Sequence, residues 1–123
     1  MEINQFISTL HQSKQQAITW HHQTKGPGSF SEHKALNNYY DEIVELIDGL
    51  VESIQGIYPR IESYTLSNPV NWTEGGSTIY FKGLYDFVQT NRKTIPQQET
   101  WVQNQIDEVA ELIADTLYQL SLK

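Results

Sequence analysis

The chain contains no cysteine. That excludes a disulfide framework, a thiolate nucleophile and every Cys-type zinc site, and it fits a reducing compartment. Basic residues are scarce: eight Lys and Arg stand against fifteen Asp and Glu, for a net charge of -7. The eight are scattered. Phosphate neutralisation needs clustered cations, so neither a generic nucleic-acid binder nor a regulatory DNA-binding helix protein is expected. No window approaches the roughly 18 apolar residues of a spanning helix, so no membrane association is expected. The opening Met-Glu-Ile-Asn-Gln-Phe has no basic region and no long apolar run, which predicts no secretory leader and a cytoplasmic location. What remains is a chain with 38% hydrophobic residues, long enough at 123 residues for one core and one domain spanning 1–123.

Helical spacing dominates the apolar pattern. Ile3, Phe6, Ile7, Leu10, Ala17, Trp20 and His21 predict a helix over 3–24. Gly26-Pro27-Gly28 ends it. Ser29-x-x-Glu32 has the form of a capping box for the next helix. That helix is the clearest: His33, Leu36, Tyr40, Ile43, Ile47, Leu50 and Ile54 alternate steps of three and four until Gly56 and Pro59 stop it. Asn37, Asp41, Glu45, Asp48 and Glu52 form an acidic stripe beside this seam. Residues 58–76 break the pattern with Tyr-Pro, Asn-Pro and Gly-Gly, and read as a crossover with a short helical turn around Arg60 to Tyr64. Such a connection lets two helices of a bundle run parallel. Ser77 is placed to cap a third helix reaching Asn91. Pro96 is placed in the first turn of a fourth that runs through Val102, Ile106, Val109, Ile113, Leu117 and Leu120. The expected fold is all-α, a four-helix bundle with a long crossover between helices 2 and 3.

The chemistry-bearing residues cluster between Trp20 and Glu52. Asp48 and Glu52 lie four apart on one helical face and repel unless a cation joins them. A solvated acidic face is the alternative reading of that pair. His21 and His33 flank the Gly-Pro-Gly turn and can meet across it; singly, each also reads as a packed or capping histidine. His33 and Asp48 are fifteen residues apart on one helix, or ~22 Å. Metal bonds of ~2 Å cannot join them within one chain. A site using all four residues therefore has to be built between two subunits. An in-bundle di-iron site would need Glu-x-x-His, and no such motif occurs.

A histidine, twelve residues to a second, fifteen to an aspartate and four to a glutamate is the spacing of His21, His33, Asp48 and Glu52. In this the chain resembles the Dps-like mini-ferritins, the DNA-protection-during-starvation family of the ferritin-like superfamily. Gly26 falls at that family's turn glycine, and Leu36, Tyr40 and Ile43 follow its apolar pattern. The resemblance implies a dodecameric shell with sites at two-fold interfaces. Two histidines come from one subunit, and the aspartate and glutamate from the other. Iron(II), at a mono- or di-iron site, would be oxidised there by peroxide or oxygen and stored as mineral. His21, His33, Asp48 and Glu52 would be the catalytic ligands, with His22 and Asn37 as candidate additions.

The chain also departs from that pattern. His22 stands where the family has tryptophan, and Trp20 precedes the first histidine instead. Asn37 replaces an aspartate. Asp-x-x-Ala-Glu-Arg becomes Asp48-Gly-Leu-Val-Glu52-Ser53, without the arginine. The family's lysine-rich tail is absent, so DNA binding is not implied. In its shortness the chain resembles members encoded by bacteriophages, which would place it in a host cytoplasm or a virion. Two functions follow: a ferroxidase and iron-storage protein, or a non-catalytic helical assembly protein such as a phage accessory or virion component on the same bundle.

Overall fold

The computed structural model describes residues 1–123 as four α-helices without a strand: α1 (Ile3–Gln23), α2 (Ser29–Ile57), α3 (Gly76–Asn91) and α4 (Thr100–Leu120), with a 3-10 turn at Arg92–Thr94. α1 packs on α2 and α3, and α4 packs on the same two from the other side. No helix is long and apolar enough to cross a membrane.

Each helix contributes one apolar stripe to a single core. Phe6, Ile7 and Leu10 enter from α1, Leu36, Ile43, Leu50 and Ile54 from α2, Phe81 and Val88 from α3, and Val102, Ile106 and Ile113 from α4. Each such side chain stabilises the fold by ~1.5–3 kcal/mol relative to exposure. The α2 seam differs from expectation at two positions. Tyr39, not Tyr40, is fully buried, and Tyr40 lies at its edge. His33 is exposed rather than seated in the seam. The steps Leu36, Tyr39, Ile43 keep the core-facing angle, and Tyr40 sits ~100° further round. Tyr39 carries its hydroxyl into the core because Ser13 meets it there. Ser13 Oγ donates to the Leu10 carbonyl at 2.7 Å, so the Tyr39 hydroxyl donates to Ser13 Oγ, also at 2.7 Å.

The helix starts correct three expectations. Ser29 and Glu32 form no capping box: the residue before α2 is Gly28, left-handed at φ 82, with no side-chain cap. Ser77 does not cap α3, which follows left-handed Gly75 at φ 78. Glycine reaches this conformation without the Cβ clash that other residues suffer. Glu32 and Ser77 instead bond to each other at 2.6 Å, and Glu32 Oε2 also accepts the Trp72 indole N–H at 2.9 Å. The start of α3 is thereby tied beside the start of α2. Pro96 lies outside α4, in the linker between the 3-10 turn and Thr100. Gln103 holds that linker from within α4, donating to the carbonyls of Arg92 and Ile95.

The segment between α2 and α3 has no helical turn at Arg60 to Tyr64. It runs along α1. The amides of Thr65, Ser67, Val70 and Trp72 donate in turn to Ser8, Gln12, Gln16 and Gln23. Ser8 to Gln23 spans fifteen helical residues, or ~22 Å. Thr65 to Trp72 spans seven, or ~23 Å when fully stretched. The segment is therefore extended like a β-strand, with α1 side chains in the place of a neighbouring strand.

Candidate metal centre

The turn between α1 and α2 is short and bends through left-handed Gly26 and Gly28. It brings the last turn of α1 against the first turns of α2, and His21 meets His33. Their rings stack at 3.7 Å between centroids and 21° between planes. The bonds around them are reciprocal. His21 Nδ1 donates to the His33 carbonyl at 2.9 Å, and His33 Nδ1 donates to the His21 carbonyl at 3.0 Å. A carbonyl can only accept, so both Nδ1 atoms carry the proton, and in the neutral rings both Nε2 atoms keep a bare lone pair. The His21 carbonyl is one of those a helix end leaves without an intrahelical partner, so His33 also caps α1. This is the arrangement in which backbone carbonyls orient imidazoles for a metal.

Around the pair, Tyr40 packs edge-on against His21 at 5.3 Å. The Tyr40 hydroxyl donates to Asn37 Oδ1 at 2.8 Å, and Asn37 Nδ2 donates to Asp41 Oδ2 at 3.2 Å. His22 is exposed, tilted off His21 at 5.5 Å.

Asp48 and Glu52 sit further along α2, both exposed. The chain's one ion pair joins Arg92 to Asp107, so neither carboxylate is part of one. No three His, Asp or Glu side chains of one chain converge to hold a metal. The structure thus brings His21 and His33 together and leaves Asp48 and Glu52 at the far end of α2. Ser53, where the resembled family has arginine, accepts from Gln105 of α4 at 2.9 Å. A Cβ on Gly49 would meet only Gln105 Oε1, at 3.6 Å, so no close approach within the chain requires glycine there.

Sequence reasoning missed His11. It stacks on Tyr64 at 4.5 Å and shares a cavity of about 260 Å³ with Lys14, Val44, Ile47, Asp48 and Leu66. Burial pushes its pKa below the ordinary value and Lys14 pushes it the same way, while Asp48 pulls it back. No spacing marks His11 in the sequence. The glutamine ladder of α1 did leave a signal: Ser8, Gln12 and Gln16 recur every four residues, with Gln23 seven further on.

No curated protein and no solved structure matches the chain. A family profile, described as a family of unknown function (DUF5856), matches residues 21–120. That stretch begins at His21 and takes in His33, Asp48, Glu52 and all of α2, α3 and α4. The chain belongs to the DUF5856 family.

Proposed function

We propose that this is a Dps-like, ferritin-like protein that oxidises iron(II) at sites shared between two subunits and sequesters it in an oligomeric shell. The observation that carries the reading is the His21–His33 pair. Both rings are fixed by reciprocal Nδ1–H bonds, and both Nε2 atoms are left as bare donors to a metal. Two imidazoles alone hold a ferrous ion weakly. The missing hard ligands are carboxylates, and Asp48 and Glu52 are exposed and without an ion-pair partner on the same helix. Since one chain cannot join the two ends, the partner subunit's copy of α2 supplies them, related by a two-fold axis. Iron(II) is the substrate, and peroxide or oxygen takes its electron. The histidines bind and orient the ion, and the carboxylates offset its growing charge as it is oxidised.

The experiment is iron(II) oxidation, aerobic and with peroxide, followed by absorbance in the wild type and in His33→Ala and Asp48→Ala. Wild type well above the protein-free rate, with both variants back at it, supports the reading. A wild-type rate equal to background overturns it. Light scattering on the same samples expects about 170 kDa for twelve 14.2 kDa chains.

One observation favours a second reading, a non-catalytic helical assembly protein. Asn37 stands where the resembled family has a carboxylate, and both ends of its amide are already engaged, by Tyr40 and Asp41. An assembled protein inert toward iron would select this reading.

A further inference from the structure

The extended segment has a second edge. The amides of Thr65 and Ser67 point inward to Ser8 and Gln12. In an extended chain successive amides alternate, so those of Tyr64, Leu66 and Asn68 point away from α1. They have no acceptor in the chain. Pro69 ends this edge, and beyond it the inward amides shift register to Val70 and Trp72. The side chains alternate as well. Tyr64 and Leu66 lie toward His11, Val44 and Asp48, whereas Thr65 faces a cavity with Tyr80. Leu66 is 53% exposed and Val70 65%.

An open strand edge with exposed apolar side chains is normally guarded by charge. Here the charge is missing. Ser63 to Thr73 is eleven residues without a single Asp, Glu, Lys, Arg or His, in a chain of net charge -7. Two copies of so acidic a protein repel wherever their carboxylates face each other, and this strip is where they do not.

We propose that residues 64–68 are the pairing edge for a second copy of this chain. The two segments join across a two-fold axis as an antiparallel ribbon, Leu66 opposite Leu66, Tyr64 opposite Asn68. The three free amides of each copy then meet carbonyls of the other at the two-residue spacing of hydrogen-bonded pairs. Leu66 shares its cavity with Asp48, so the pairing brings the Asp48 regions of the two copies toward one axis. For its bearing on the metal centre the inference rests on the two-subunit reading above; the pairing itself stands without it.

The test places charges on the axis. Leu66→Asp and Leu66→Lys each set like charges opposite one another in a homodimer, and in an equimolar mixture they set opposite charges together. Mass is read by light scattering and helicity by circular dichroism. The expected result is helical variants whose mass each falls well below that of the wild type, and a mixture that regains it. In the wild type the Tyr64, Leu66 and Asn68 amides exchange with solvent about tenfold more slowly in the associated than in the dilute protein, and Thr65 and Ser67 are slow in both. Wild-type mass in both variants, or no recovery on mixing, overturns the pairing. Iron oxidation on the same samples separates the two proposals. Paired protein inert toward iron overturns only the ferroxidase reading, and iron oxidation in variants that keep their mass overturns only the pairing.

Discussion

Gln16 grips Val70 by both ends of its side-chain amide: Oε1 accepts the Val70 N–H at 2.9 Å and Nε2 donates to the Val70 carbonyl at 2.8 Å. A glutamine here does what a neighbouring strand does in a sheet. Gln16→Leu keeps the bulk and removes both bonds, leaving two backbone groups of Val70 without protein partners. The expected loss is about 1–3 kcal/mol, read as a lower urea midpoint. Exchange of the Val70 amide should rise, while α1 amides stay protected.

Glu32 is a second fastener, because one carboxylate oxygen receives both Trp72 Nε1 and Ser77 Oγ. Ser77 is buried beneath Glu32, so its hydroxyl depends on this carboxylate for a partner in the folded chain. Glu32→Ala therefore costs about 2–3 kcal/mol, in the range for bonds to a charged acceptor. Trp72 fluorescence should shift to the red as its segment loosens, and Glu32→Gln, which keeps an acceptor oxygen, should recover part of the loss.

Two tyrosines make the fold sensitive to alkali. Burial raises the Tyr39 hydroxyl far above its ordinary value, and Tyr80 adds to it. Burial alone raises Tyr80. Below pH ~10 both folded and unfolded chains hold these protons, so stability does not depend on them. Above it the unfolded chain releases them and the folded chain does not. Stability then falls by about 1.4 kcal/mol per pH unit for each tyrosine. Alkaline titration should show these two of the seven tyrosines ionising only with unfolding. Tyr39→Phe should weaken the dependence.

The helices were legible because burial imposes its own period: Leu36, Ile43, Ile47, Leu50 and Ile54 cannot face one core at any other spacing. The caps were not. Glu32 looks like a local partner of Ser29, yet it is claimed by Trp72 and Ser77, forty and forty-five residues away. Gln12, Gln16 and Gln23 carry no local sign that an extended segment covers them. At the candidate centre, the meeting of His21 and His33 follows from a tight turn between two helices. Their tautomers depend on the direction of two carbonyls, which spacing does not carry.

Gly49 offers a gain rather than a loss. A glycine inside a helix is less favourable than alanine by about 1 kcal/mol, and a Cβ at this position would find an ordinary 3.6 Å contact with Gln105. Gly49→Ala should raise the melting temperature of the isolated chain. If it also lowers the assembled mass, Gly49 lies against a partner subunit beside Asp48.

Subunit mixing tests the metal centre most sharply. His33→Ala removes the histidine half of every site, and Asp48→Ala the carboxylate half, so each variant alone should be inactive. In a two-fold dimer of one variant with the other, one of the two sites takes His33 from the Asp48→Ala chain and Asp48 from the His33→Ala chain. That site is whole, and its sister lacks both. Random reassembly makes half of the dimers mixed, so about a quarter of the wild-type oxidation rate should return. A site within one chain cannot return any, because every chain in the mixture carries a defect. Recovery on mixing, absent when the two variants are assayed in separate vessels, would place the ligands on two subunits without any structure of the assembly.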